Sequence, residues 1–216
     1  MFTIYTNGMY LNERKGRARR SHAERRAATR RALLDAARAL FAEKGYAEVT
    51  IEEVVRAAGV TRGALYHHFE DKRLLFGAVV SEVEDEIDVL VEGAAREAHA
   101  RSGDPLEAMM AGHYAFLDAC SRQEVRRILL LDGPAVLGWE EWHEIDAGHA
   151  VAQIEEGLGL LADAGLMEPQ PLRPLAHLLH GAAIEAALYV AISEDAGKAR
   201  DEAGAGLERL VRGLCR

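Results

Sequence analysis

The stretch spanning residues 50–72, TIEEVVRAAGVTRGALYHHFEDK, leaves the chain few ways to fold. Thr50 followed by Glu53 is a capping box: the hydroxyl accepts from a first-turn amide, and the carboxylate reaches back to the cap N–H. Ile51, Val54, Val55 and Ala58 then recur at helical spacing, so one face of this helix is buried. Gly59 suits the left-handed position that ends a helix. Val60 tucks under the turn, and Thr61 caps a second helix running through Arg62, Gly63, Ala64, Leu65 and Tyr66. The stretch therefore predicts two short helices joined by a tight turn.

The second helix has one clear core residue, Leu65, and exposes Arg62, Gly63, Ala64 and Tyr66. A helix entering a DNA major groove needs this pattern. Small residues let the backbone approach, a long basic side chain reaches base edges, and an aromatic hydroxyl meets a phosphate. The plainer alternative is an ordinary pair of small core helices, but capping, turn, spacing and charge all agree with the groove reading.

The run from Val60 to Phe69, VTRGALYHHF, followed by Asp71-Lys72 and Leu74-Leu75-Phe76, resembles the helix-turn-helix signature of the TetR family of transcriptional regulators. The likeness is strong over residues 30–80; beyond them it rests on length and helical character. A weaker likeness joins DGPAVLGW, residues 132–139, to one subgroup of TetR-type C-terminal domains. Val55 departs from the family, which more often has Ala at the contact between the two helices. The resemblance implies an all-α fold of about nine helices, with a three-helix helix-turn-helix head over 23–70 and a ligand-binding and dimerisation domain over 71–216. It also implies a ligand-responsive repressor acting as a homodimer on a palindromic operator in double-stranded DNA. Arg62 is then the main base reader, with Gly63 and Ala64 permitting close approach; Thr50, Thr61, Tyr66, His67, His68 and Lys72 complete the DNA contacts. The rival reading is a small-molecule-binding helical protein whose DNA head is vestigial.

A net charge of −9, taken over the whole chain, argues against a nucleic-acid partner. Splitting the chain reverses that: residues 1–72 hold 14 Lys/Arg against 9 Asp/Glu, whereas residues 73–216 hold 12 against 26. One end suits a polyanion and the other stays clear of it. Residues 14–31 hold nine basic residues and one acid, Glu24. Together with the unpatterned residues before them they suggest a disordered basic arm over 1–22, which touches phosphates or is simply solvated. The two cysteines, Cys120 and Cys215, make no disulfide framework and suit a reducing cytoplasm. No run of eighteen uncharged apolar residues occurs, so no membrane span is expected.

Helix 1 is expected over 23–44, with Leu33, Leu34, Ala37, Leu40 and Phe41 buried, and Thr29 and Arg30 on the polar side. A long helix follows over 72–100. Its acidic face, including Glu82, Glu84, Asp85, Glu86, Asp88 and Glu92, reads as solvated. Further helices are expected over 105–120, 123–131 (stopped by Gly133 and Pro134), 139–164, 175–194 and 198–214, with a proline-rich connector over 166–174. Gly157 and Gly159 mark either a bend or a close helix contact.

No phosphate-binding Gly loop, CxxC pair, HExxH or nucleophile elbow is present, and the chain does not read as an enzyme. His177 and His180 lie three apart on one helix, and His143 and His149 share another. Without cysteines or a Glu–His pair nearby, no metal or other cofactor is expected. An unknown small-molecule effector is implied by the resemblance. Met109, Met110, His113, Tyr114, Phe116, Leu117, Trp139, Trp142 and His177 are its candidate pocket, each alternatively plain core. The last two helices carry Leu178, Gly181, Ala182, Ile184, Glu185, Leu188, Leu207, Leu210, Val211 and Leu214. These form either a homodimer bundle or an internal core.

Overall fold

The computed structural model describes residues 21–215. The proposed basic arm over 1–22 falls almost wholly outside them. The fold is all-α: ten α-helical segments and one π-helical stretch, with a single isolated bridge between Met167 and Cys215 and no strand among the described residues.

Helix α1 (His22–Lys44) opens on a second capping box, Ser21 with Glu24, and buries Leu33, Leu34, Ala37 and Phe41. Gly45 ends it at φ +82°, a backbone conformation that strains any other residue, and a Cβ there would also stand 2.8 Å from the Arg127 guanidinium, which would have to move aside. α2 (Ile51–Ala58) carries the expected Thr50/Glu53 box and stops at left-handed Gly59. α3 (Arg62–His68) is capped by the Thr61 hydroxyl. Asp71 caps α4 (Lys72–Ser102), a 31-residue rod about 46 Å long. α5 (Pro105–Cys120) starts with proline in its first turn and the Asp104 carboxylate on the Leu106 amide. It lies close along α4, and a Cβ on Gly112 would stand 3.3 Å from Val91.

Three expectations need correction. Gly133 and Pro134 do not stop the helix before them. α6 (Gln123–Val125) widens into a π-helix (Arg126–Asp132) that runs on as α7 (Gly133–Leu137), and the break comes at Gly138, φ +83°. Pro134 lies just after the π-helical stretch, whose widened spacing accommodates a residue without an N–H. The widened turn leaves the Leu129 carbonyl to accept from the Trp142 indole N–H at 2.9 Å. The proline-rich connector is also shorter than expected. α8 (Trp139–Asp163) is followed by α9 from Leu172 to Ile192, with Pro174 tolerated in its first turn. Finally, the acidic face of α4 is not uniformly solvated. Glu84 is buried because α8 packs across that side, and Glu86 pairs with Arg38.

α10 (Ala196–Leu214) packs on α9 and α5. Tyr114 of α5 fills the place of a side chain at Gly204, where an added Cβ would stand 2.2 Å from its ring. One apolar core runs without interruption from the head (Leu33, Phe41, Leu65, Phe76) into the body (Leu117, Leu129, Trp142, Ile184), and a second gathers Met109, Met110, Leu158, Leu161 and Val211 at the far end. α9 is the one helix among the described residues long and apolar enough to cross a membrane by length and composition. Its Ala176, Leu179, Ala183, Ala187 and Val190 are buried in the body.

Candidate nucleic-acid interface and effector cavity

α3 is held from beneath by buried Leu65 and Phe69, which leaves its outer face to Arg62, Gly63, Tyr66 and His67. Nothing beyond the Thr61 hydroxyl, 4.0 Å away, comes near the place of a Cβ on Gly63, so the backbone lies open to a close approach. The Arg62 guanidinium donates to Glu52 at 2.5 Å and to the Tyr66 hydroxyl at 3.2 Å, and lies 5.5 Å from the Tyr66 ring centre. Both members of the Arg62–Glu52 pair are more than half exposed, and such pairs contribute about 0–1 kcal/mol. Turning Arg62 toward a base edge is therefore cheap. The Thr50 and Thr61 hydroxyls cap α2 and α3. Burial lowers the His68 pKa, with His67, Arg26 and Arg30 adding to the effect. Arg30 lies 5.5 Å from the Phe69 ring centre. Thus α1 brings basic residues to the end of α3.

Lys72 has an internal task. Its ammonium donates to the Tyr46 and Val49 carbonyls, both at 2.9 Å, and lies 4.1 Å from the Tyr46 ring centre. Two of its three donors brace the α1–α2 connection, which leaves one for any phosphate. Tyr46 in turn packs against Phe41 and Phe76, its ring centre 5.8 and 5.1 Å from theirs. Further polar contacts fasten the head to the body. Arg127 caps the Lys44 carbonyl at 3.2 Å, Asp132 accepts from the Tyr46 amide at 2.7 Å, and Arg38 reaches both Glu86 and Glu124 at 2.5 Å. Within the body, Arg73 at the start of α4 pairs with Glu141 and donates to the Leu137 carbonyl at 3.1 Å.

A cavity of about 330 Å³ opens among α4, α5, α8 and α9. Met109, His113 and Phe116 line it, together with Glu84, Val91, Gly157 and Ala183. The other expected pocket residues stand elsewhere. Met110 and Leu117 are buried in the two cores, Tyr114 seats α10, and His177 is exposed on α9. Trp139 and Trp142 line a second cavity of about 200 Å³. Because the His113 Nδ1 lies 2.8 Å from the Met109 carbonyl, that nitrogen carries the proton. Nε2 is left as a buried acceptor without a partner. Burial also lowers the His113 pKa, which keeps the ring neutral at neutral pH.

Sequence reading missed the polar wall between the cavities, because its residues come from three helices. Asp146 and His180 line both cavities, and their Oδ2 and Nε2 atoms stand 3.1 Å apart. The His143 ring stacks on Trp139, centres 5.3 Å apart, and lies 5.9 Å from the His180 ring centre. Burial, with Asp146 alongside, pushes the Glu84 carboxyl well above the usual carboxylate range.

The expected dimer residues divide into three sets. Ile184, Leu207 and Val211 are buried inside the chain, where neighbouring helices already use them. Ala182, Leu188 and Leu214 are half-buried. Leu178, Gly181, Glu185 and Leu210 are exposed, and Tyr189 and Ile192 extend their stripe.

Two family models match the chain: "Bacterial regulatory proteins, tetR family" over residues 33–79, and "Tetracyclin repressor-like, C-terminal domain" over 106–214. A solved TetR-family transcriptional regulator from Pectobacterium atrosepticum is 33% identical with a TM-score of 0.77, covering 91% of this chain and 98% of that one. The Transposon Tn10 TetC protein of Escherichia coli is 29% identical over 150 residues, 69% of this chain and 74% of the relative. The HTH-type transcriptional repressor Rv1474c of Mycobacterium tuberculosis is 36% identical over 109 residues; the match spans 50% of this chain and only 55% of that protein.

Proposed function

The chain belongs to the TetR family of DNA-binding transcriptional regulators, and from that premise we propose that it is an effector-released repressor acting as a homodimer on a two-fold-symmetric operator. One observation carries the reading. The α3 face of Arg62, Gly63, Tyr66 and His67 sits on a head whose core continues, without a gap, into a body that encloses a cavity.

Arg62 leaves Glu52 and reads a base edge in the major groove, while open Gly63 and the small, half-buried Ala64 let the helix settle close to it. Tyr66, His67, the α3 end of α1 and the spare donor of Lys72 meet phosphates, which set register rather than sequence. Two heads reading successive grooves are roughly 34–36 Å apart. The exposed stripe of Leu178, Gly181, Glu185, Tyr189 and Ile192 recurs every three or four residues along α9. With Leu210 of α10 beside it, it is the face that a second copy covers.

The larger cavity, at about 330 Å³, is at the lower end of the range for small-molecule sites. Its apolar wall suits a small, largely apolar effector whose donor group meets His113 Nε2. The cavity is walled by α4, the same rod whose first residue braces the head. An effector preferring one α4 position changes the spacing of the heads and releases DNA, with a coupling of about 1–3 kcal/mol. That the outcome is repression is supported by the function named for the mycobacterial relative.

The test begins with duplexes selected from a random library by the purified chain. The expected product is a two-fold-symmetric sequence with half-sites one helical turn apart. In titrations on that duplex, Arg62→Ala costs about 1–3 kcal/mol and relaxes discrimination at the contacted base. Unchanged discrimination overturns the role of Arg62. If no sequence is enriched and binding is insensitive to salt, the head is vestigial and the chain is a small-molecule-binding protein.

A further inference from the structure

The polar wall between the two cavities has the chemistry of a metal site. His143 and Asp146 lie three residues apart on α8, so they share a face, and His180 meets them from α9. One donor atom from each falls within 4.8 Å of the others. Donors bound to a common ion at about 2.0–2.2 Å lie roughly 3–4 Å apart, so small rotations about the side-chain bonds close this set. We propose that His143, Asp146 and His180 bind one divalent first-row transition ion between the cavities.

A second observation points the same way. The Asp146 side chain is only 2% exposed, and its Oδ2 has no hydrogen-bond partner although His180 Nε2 stands 3.1 Å away. Glu84 adds a second buried carboxyl within hydrogen-bond reach of the Asp146 side chain. Buried acceptors without partners are costly, and a cation between the imidazoles satisfies the Asp146 oxygen directly. Glu84 then supports that carboxylate from α4, as outer partners of metal ligands do.

The donor set selects the ion. Two imidazoles and one carboxylate favour zinc, iron, nickel or cobalt over magnesium and calcium, which prefer oxygen. Three protein ligands leave at least one position for water or an oxygen-bearing small molecule. Because Asp146 and His180 face both cavities, that position opens onto the space assigned above to the effector. The smaller cavity, lined in part by the exposed Trp139, gives the ion a way in. The site itself stands independently of the DNA reading.

The experiment uses the full chain stripped with a chelator. Co²⁺ is titrated by visible absorption, Zn²⁺ by calorimetry and thermal unfolding, and Mg²⁺ in parallel. The expected result is one Co²⁺ or Zn²⁺ per chain, a visible Co²⁺ spectrum, a Zn²⁺-dependent rise in Tm, and no response to Mg²⁺. His143→Gln, His180→Gln and Asp146→Asn should each weaken Zn²⁺ by at least about 100-fold, beyond the loss typical of outer partners. His22→Gln, at an exposed histidine on α1, should leave the affinity unchanged. His143 is only half-buried, so its variant keeps the core intact if either of the other two unfolds. Absence of saturable binding in the unaltered chain overturns the proposal. So does equal affinity in His143→Gln, which would place the ion elsewhere.

Discussion

Replacing Lys72 by alanine separates two roles for one ammonium. As a phosphate contact alone, its loss would weaken all DNA sequences alike and leave folding untouched. In the structure it holds the Tyr46 and Val49 carbonyls, each at 2.9 Å. Hydrogen bonds to a charged group contribute about 1.5–3 kcal/mol each. The site is half-buried, so water replaces part of both and the lower end applies, about 3 kcal/mol for the pair. Loss of the contact with the Tyr46 ring adds about 0.5–1 kcal/mol, and the side-chain entropy no longer spent returns roughly 1–2. The net expectation is a destabilisation of about 1.5–3 kcal/mol, or roughly 3–12 °C in Tm for a chain of this size. Thermal unfolding measures it. Lys72→Met keeps the aliphatic stem and should show most of the same loss. If Lys72→Ala holds the Tm of the unaltered chain within about 2 °C while the salt slope of DNA binding falls by about one, the bracing argument is refuted and the phosphate role stands alone.

Three other outcomes are expected. The Glu53 carboxylate is held down to about pKa 2 by the Lys44 ammonium and then by the Thr50 amide and hydroxyl. Its folded value lies below its unfolded one, so its contribution is complete above about pH 4.5 and fades as pH falls toward 2. Urea midpoints should show the unaltered chain's advantage over Glu53→Gln shrinking from pH 6 to about 3.5; an equal gap at both would contradict the assignment. Gly204→Ala forces a Cβ to 2.2 Å from the Tyr114 ring and should destabilise by about 1–3 kcal/mol. Adding Tyr114→Ala should then cost less than the two single effects together. Aspartate at Leu178 and Leu210 together should halve the sedimenting mass without lowering helicity, and an unchanged mass would mean that α9 and α10 do not pair two copies.

The head was legible because its signals are local. Thr50 with Glu53, Gly59, Thr61 and Leu65 each fix their neighbours within four residues, and the structure has all of them in those roles. The body was legible as helices, but not as a cavity. Met109, His113 and Phe116 recur at helical spacing and do line one wall, yet Tyr114 on the same helix is taken by Gly204, ninety residues on. Nothing near Tyr114 announces that partner. Pairing histidines along one helix set His177 beside His180, whereas α8 supplies the actual neighbour, His143. Glu84 looked like one acid among many, since only the packing of α8 distinguishes the carboxylate that is covered. Pro134 and Pro174 misled for a related reason: proline stops a regular helix from within but is accepted beside a π-helical widening or in a first turn, and sequence alone did not say where either lies.

The pairing of Trp142 with the π-helix has a practical consequence. The chain has only two indoles: Trp139 is 66% exposed and Trp142 is 2% exposed. The second is tied to the Leu129 carbonyl and borders the smaller cavity. Iodide therefore silences the first by collision and spares the second. The remaining blue-shifted emission is a label-free gauge of whatever happens where the π-helix meets α8, readable in a cuvette before any operator or ligand has been identified.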